Sequence, residues 1–400
     1  MEKRILIFTN HFDPEYFKVN DIVNWIKEKG ETVIVVTGNP NYPKGKIFPG
    51  FSPFGSKEVL DNLIVYRLPL IPRGKGGKIK LVFNYLSYFF SSLLFTLFFL
   101  IPKKRFQKVF VHHTSPPFIL LPALVYKKLK KATIFLWDLD MWPQTLEATG
   151  VLSSPQIIKF LETIFTRLYQ GFDLILLGSK HFERIASKRV NPSRIKYFPN
   201  WADAVFETAA IKPKKLIQQQ KIIISYTGNI GESQDLESLV QAVSLIEHKF
   251  FEIRLIGDGR NKEALKKLVK NKQLTDIIKF YDSVSPIQLI KFFNESHFLY
   301  LSLKRSALFE KTVPAKFQTY LAVGIPLIGF ISGETNSLIK ENQLGFVCES
   351  HQTKQLADVI KGIAKLKDVD YQKMSSNCRN LYNNDFHSSK REQDLEILLS

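Results

Sequence analysis

The chain has 400 residues, 45% of them hydrophobic and 23% charged, which is more than one core usually serves and excludes both long disorder and a collagen-like chain. Its formal net charge of +19 is lopsided: residues 1–200 hold 29 basic and 14 acidic side chains, and residues 201–400 hold 27 and 23. A basic first half implies an anionic partner, whether nucleic acid, phosphorylated lipid or a membrane surface.

Chain order then shows short apolar runs alternating with amphipathic stretches. RILIFT (4–9) predicts a buried strand, 20–29 a helix closed by Gly30, and ETVIVVTG (31–38) a second strand. The opening MEKRILIFTN has an apolar run too short for a signal peptide. Further strands are expected at 63–68, 108–113, 132–137, 173–179 and 195–200, with helical patterns between several of them. Continuous Ile/Val/Leu runs separated by helices predict parallel strands covered on both faces, a doubly wound α/β domain. Polar KPKKLIQQQK (212–221) lacks apolar periodicity and reads as a linker. The pattern then restarts with strands at 221–228, 251–257, 277–283, 297–303, 326–330 and 344–349, and a helix at 236–246. Two doubly wound Rossmann-like domains facing across a cleft are expected, with boundaries at 1–205 and 206–383. Cys348 and Cys378 are the two cysteines, and no Cys/His cluster has ligand spacing. A disulfide scaffold and a metal site are not expected, and a reducing compartment is.

Residues 81–102 (LVFNYLSYFFSSLLFTLFFLIP) carry no charge. Arg73, Lys75, Lys78 and Lys80 precede them, and Lys103, Lys104 and Arg105 follow. Length alone admits a membrane-spanning helix, but one would split a sheet whose strands lie on both sides of it in sequence. A buried core helix is the second reading. The third and favoured one is an interfacial helix at 81–101. Asn84, Ser87, Tyr88, Ser91 and Ser92 form a polar stripe turned to the protein, opposite an apolar face of Phe83, Leu86, Phe90, Leu94 and Leu97.

Ligands of open parallel sheets bind beyond the strands' carboxyl ends, so candidate residues sit there. After the first strand come Asp13, Lys18 and Asn20; Asn20 equally suits a helix N-cap. No GxGxxG stands there, so a nicotinamide or flavin site is unsupported. His112 and His113 end one strand and Asp138 and Asp140 follow the next, beside Trp137 and Trp142. Such a carboxylate suits polarising an acceptor hydroxyl, with a helix cap or a buried ion pair as the plainer alternative. In the second half, Gly228, Asn229 and Gly231, then Gly257 and Asp258, let backbone amides approach a phosphate. Lys316, two residues after Pro314, opposes the dipole of the helix it begins; an anion bound there accounts for it, and so does a solvated surface lysine.

At this point the sequence resembles the family 4 glycosyltransferases of GT-B fold, most closely an L-fucosamine transferase-like group of O-antigen and capsule clusters. The marks are PNYPKG (40–45), LWDLDMWPQTLEATG (136–150), YFPNWA (197–202), TGNIGESQDLESL (227–239), IGDG (256–259) and TVPAKFQTYLAVGIP (312–326). The resemblance implies a retaining, metal-independent transfer without a cofactor, from a nucleotide sugar, with a UDP-sugar the expected donor. The implied acceptor is a saccharide on undecaprenyl diphosphate, at the inner, cytoplasmic face of the cell membrane. By position, Asp140 stands near the family's catalytic histidine, Asn229 about where many members have arginine and Gln234 where they have lysine. Lys316 then supplies the missing cation, making Asp140 and Lys316 the implied catalytic pair. The family's paired glutamates are not intact. Lys311 and Thr319 hold their places and Glu310 is one residue off, so Gln318, Thr319 or Glu334 is expected to contact the donor. Asp13, Lys18, Asn20, His113 and Asp138 are the acceptor-side candidates, and the tail 384–400 is expected to return to the first domain. Two alternatives stand beside this: a nucleotide-sugar 2-epimerase of the same fold, which needs no membrane helix, and a basic nucleic-acid-binding protein. The second would interleave aromatics with basic residues, whereas here they cluster in an uncharged run.

Overall fold

The computed structural model describes residues 4–74, 77–148, 152, 154–217, 221–247 and 250–400. Lys75, the side chain of Lys78, the end of the 136–150 motif (149–150) and part of the expected linker (218–220) lie outside the described residues. The chain divides into two compact units, Met1–Phe198 with Glu392–Ser400, and Pro199–Arg391.

The first unit holds an eight-stranded sheet: β1 (Arg4–Thr9), β2 (Thr32–Gly38), β3 (Ser56–Leu60), β4 (Leu63–Leu68), β5 (Lys108–His113), β6 (Thr133–Asp138), β7 (Leu174–Leu177) and β8 (Ile195–Tyr197). The spatial order is β3-β4-β2-β1-β5-β6-β7-β8. All neighbours are parallel except β3, which pairs antiparallel with β4. The central strands are buried on both faces, as their unbroken apolar runs require. Strand β3 is an addition to the expected set. It is mostly exposed, lies on the edge, and turns into β4 through Asp61 at φ 39°.

The helix Lys78–Phe95 continues through a wider turn, Thr96–Leu100. Asn84, Tyr88, Ser92 and Thr96 are buried, whereas Phe83, Phe90 and Leu94 are each more than half exposed and Phe98 is 76% exposed. The polar stripe is therefore what docks the helix. Asn84 Nδ2 donates to Ile71 O (2.6 Å), Ile71 N donates to Ser87 Oγ (2.9 Å), and the Tyr88 hydroxyl donates to Thr9 O (2.7 Å) at the end of β1. Because β1 pairs with both β2, before this helix, and β5, after it, a membrane-spanning helix is excluded. The exposed phenylalanines exclude a core helix.

The second unit holds six parallel strands: β9 (Ile222–Thr227), β10 (Phe251–Ile256), β11 (Ile278–Tyr281), β12 (Phe298–Ser302), β13 (Leu327–Phe330) and β14 (Gly345–Cys348). Their order is β11-β10-β9-β12-β13-β14. The direction of winding reverses between β9 and β12 here, and between β1 and β5 in the first sheet, so the ligand crevices belong at those carboxyl ends. The division after Phe198 precedes the expected one after 205, because Ala202, Phe206 and Ile211 are packed with Phe317, Tyr320 and Tyr382 in the second unit's core. At the other end Phe386 still belongs to that core, so only Glu392–Ser400 joins the first unit, where Leu395 and Leu399 line a small cavity with Trp25 and Ile26. The described part of the expected linker is strapped down rather than free. Leu216 N donates to Asp368 Oδ1 (2.9 Å), and Gln372 Nε2 donates to Lys214 O (3.0 Å). Cys348 and Cys378 are buried free thiols; burial pushes Cys348 up to about 12 and Cys378 higher still.

Candidate functional site

In the second unit two glycine loops lie flat on one another beyond β9 and β10. A Cβ on Gly257 (φ +152°) would stand 1.9 Å from Gly228 O, and one on Gly259 2.3 Å from Ile230 O, so only glycine permits this approach. Ile230 N donates to Asp258 O (2.7 Å), which fixes the pair of loops, and the Asp258 side chain is exposed. Asn229 and Gln234 bind each other: Asn229 Nδ2 and Gly231 N both donate to Gln234 Oε1 (3.1 Å each). The places expected to carry cations thus hold a neutral amide pair.

The cation comes from the helix Ala315–Ala322. Lys316 is partly buried; its Nζ donates to the Tyr226 hydroxyl (2.6 Å) and lies 3.9 Å from that ring's centroid. It also lies 3.3 Å from where a Cβ on Gly228 would stand. Among the described residues no carboxylate pairs with it, and burial lowers its pKa to about 7. A desolvated ammonium beside an open glycine loop, at a helix start, is arranged to receive an anion. Gln318 is buried, and oriented to donate, its amide meets Pro314 O and Ala315 O (3.0 Å each), bracing the helix start. Thr319 is partly buried. Glu334 is buried at the start of Glu334–Glu341, where Gly333 (φ +77°) packs on the Glu310 backbone so closely that a Cβ would meet Glu310 O at 1.8 Å.

In the first unit Asp140 is partly buried, and its Oδ2 accepts from Ser115 N (2.9 Å). Behind it, His113 and Asp138 are wholly buried, so neither has surface to offer a ligand. His113 Nδ1 donates to Asp138 Oδ1 (2.6 Å), the Tyr169 hydroxyl donates to Asp138 Oδ2, and Asp140 N donates to Asp138 Oδ1 (3.2 Å). The expected acceptor contacts are thereby corrected to a support that sets the Asp140 backbone. Asn20 is also a brace: its Oδ1 accepts from Asp13 N (3.2 Å) and its Nδ2 donates to Glu15 O (2.9 Å). Asp13 is exposed, and Lys18, at the helix N-cap, lies 3.5 Å from Asp21.

Sequence reasoning missed a second buried pair. His11 Nδ1 donates to Glu15 Oε2 (2.6 Å), while Glu15 Oε1 accepts from Asn41 N (2.7 Å) and Tyr42 N (2.6 Å). One carboxylate so ties the loop after β1 to the loop after β2; the His-x-x-x-Glu spacing was its only signal. His112 is likewise buried, 2.9 Å from Thr9 Oγ1, and burial first, then His11 and His113, lowers it to about 3.

Comparison with known proteins adds the chemistry. Residues 207–381 match the family model described as Glycosyl transferases group 1. The chain is 23% identical to the colanic acid biosynthesis glycosyl transferase WcaI of Escherichia coli strain K12, over 87% of this chain and 86% of that one. It is 24% identical to the glycosyltransferase WbjE of Pseudomonas aeruginosa, over 73% and 74%. Among solved structures it is similar to sucrose-phosphate synthase from Thermosynechococcus elongatus (TM-score 0.73, 13% identity, 99% and 98% covered). Another is Anabaena HepE in complex with UDP and glucose (TM-score 0.67, 12% identity, 100% and 99% covered).

Proposed function

We propose, for a chain whose residues 207–381 are a group 1 glycosyltransferase domain on a GT-B fold, a retaining, metal-independent transfer from a nucleotide sugar to a lipid-linked saccharide of surface polysaccharide. The single observation that carries the donor half is Lys316: a cation with no carboxylate partner among the described residues, held against the Gly228 loop. A diphosphate placed there meets one ammonium, the loop amides and the starts of two helices. That HepE was solved with UDP and glucose supports a UDP-sugar as donor.

The reaction follows from these parts. Lys316 and the helix starts stabilise the negative charge that develops as the diphosphate departs. The acceptor hydroxyl attacks from the face the diphosphate leaves. It passes its proton to the departing phosphate oxygen, so no enzyme nucleophile is needed. In the first unit Asp140, set by Asp138, is the carboxylate offered to an acceptor hydroxyl.

The acceptor half rests on the helix Lys78–Phe95 and its continuation. Its polar stripe is spent on the protein, which leaves Phe83, Phe90, Leu94 and Phe98 facing outward. Lys80 in its first turn and Lys103, Lys104 and Arg105 after it suit anionic lipid. We read the protein as peripheral on the inner face of the cell membrane, taking an undecaprenyl-diphosphate-linked acceptor of O-antigen, capsule or lipopolysaccharide type. The WcaI name supports a role in polysaccharide biosynthesis, and both the WcaI and WbjE names support a glycosyltransferase over the epimerase or nucleic-acid readings.

Purified protein incubated with UDP-, GDP- and dTDP-sugars tests this. One donor should release nucleotide faster when lipid-linked saccharide is present, with EDTA without effect and the donor's anomeric configuration kept in the NMR spectrum of the product. An inverted anomer, or epimerised donor without transfer, refutes it.

A further inference from the structure

Arg73 is a cation held in place by its surroundings. Its guanidinium lies 5.1 Å from the Tyr42 ring centroid, its backbone N donates to Asn41 Oδ1 (3.5 Å), and its buried Nε has no hydrogen-bond partner. Among the described residues no carboxylate pairs with it. Leaving an arginine's donor buried and unused costs free energy unless an acceptor completes it, and an anion is the acceptor that best suits a guanidinium. The position is nevertheless doubly clamped. On one side Asn84 and Ser87 grip Ile71. On the other, Gly74 N donates to Gly45 O (2.9 Å) in a contact so close that a Cβ on Gly45 would lie 1.7 Å from Gly74 O. Lys80 folds back over the same turn, its Nζ 3.6 Å from where a Cβ on Gly74 would stand.

Tyr85 projects from the same helix as the outward phenylalanines, and its hydroxyl has no hydrogen-bond partner among the described residues. Burial first raises its pKa, with Arg73 opposing the rise and Asp140 adding to it; in sequence it stands between Asn84 and Ser87, whose side chains bond Ile71, two residues before Arg73. Through Tyr42, whose backbone N donates to Glu15, Arg73 joins this helix to the loops beyond β1 and β2.

Resting on the lipid-linked acceptor of the preceding section, we propose that Arg73 and Tyr85, with Lys80, bind the diphosphate joining the acceptor saccharide to its lipid. Such a diphosphate has an apolar chain on one side and a sugar on the other, the two surroundings this cluster joins. Arginine's fork suits two phosphate oxygens, and the tyrosine hydroxyl donates to a third.

The test uses the full chain saturated with UDP to block the donor site, with geranyl diphosphate and geraniol as probes in calorimetry. Wild type should bind geranyl diphosphate at least about tenfold more tightly than geraniol. Arg73→Gln should weaken geranyl diphosphate roughly ten- to a hundredfold and leave geraniol unchanged. Arg73→Lys, which keeps charge and packing, should retain the diphosphate preference at an affinity reduced severalfold. Sedimentation with phosphatidylcholine–phosphatidylglycerol vesicles separates the carrier's diphosphate from a bilayer headgroup, since Arg73→Gln should pellet as wild type does. Equal diphosphate binding by wild type and both variants overturns the assignment alone, and so does a vesicle loss that parallels the diphosphate loss. Wild type that shows no preference for the diphosphate overturns the lipid-linked acceptor as well.

Discussion

Lys316 ties donor affinity to pH. Its proton is held with a pKa of about 7 in the free protein because burial disfavours the ammonium and no anion restores it. A bound nucleotide sugar brings that anion, and its diphosphate, esterified at both ends, keeps its charge from pH 6 to 8. Binding therefore selects protonated Lys316. Above about pH 7 each further unit costs roughly tenfold in affinity, and from pH 6 to 8 the fall is about tenfold in all. At pH 8 nearly one proton is taken up per donor bound. Titration calorimetry in two buffers of different ionisation enthalpy measures that uptake directly. Lys316→Met, which keeps the methylene volume, should bind about ten- to a hundredfold more weakly at pH 6 and show neither pH dependence nor proton uptake. In the empty protein the sign reverses. The unfolded chain holds the Lys316 proton more tightly, so between about pH 7 and the ordinary lysine range the wild type gains stability relative to Lys316→Met as pH rises. Flat wild-type affinity with no proton uptake would refute the placement of the diphosphate at Lys316.

Asp140→Asn should lower transfer on the order of a hundredfold while donor affinity by calorimetry stays within about twofold, since the donor loops belong to the other unit. Replacing Phe83, Phe90, Leu94 and Leu97 together by Ser should free the protein from acidic vesicles in a pelleting assay, whereas salt weakens wild-type binding only partly, because the apolar contribution remains. Gly257→Ala forces a Cβ against Gly228 O at 1.9 Å, so urea unfolding should show a loss of at least about 2 kcal/mol and donor affinity should fall with it. Lys316→Ala should cut turnover about a hundredfold in a folded protein, as for one lost preorganised charge contact; near-normal rates remove Lys316 from the site.

What was legible in the sequence was whatever a local pattern encodes. Fully buried parallel strands such as β1, β5 and β9 carry unbroken apolar runs, and the Asn84–Tyr88–Ser92 stripe repeats at helical spacing. Strand β3 went unseen because an exposed edge strand, SKEVL, has no apolar run to betray it. At the site, Lys316 stood out because it opposes its helix dipole. Its partner Tyr226 did not, because the two meet only when β9 and the helix Ala315–Ala322 fold together across 90 residues. His113 and Asp138 lie at strand ends just as Asp140 does; only burial separates support from surface, and burial at a strand's last residue depends on what covers it. Arg73 was read as one of a basic cluster, and nothing in its neighbours announces the clamps at Ile71 and Gly74.

The two buried thiols have a practical consequence. Their protons are held too tightly, and their sulfurs too deeply, for maleimide or iodoacetamide reagents to reach at neutral pH. The native chain is therefore already a silent background for site-directed labelling. A single cysteine introduced at Phe98, 76% exposed, would carry a spin label or fluorophore alone, and its quenching depth in a bilayer would report how far the helix sinks.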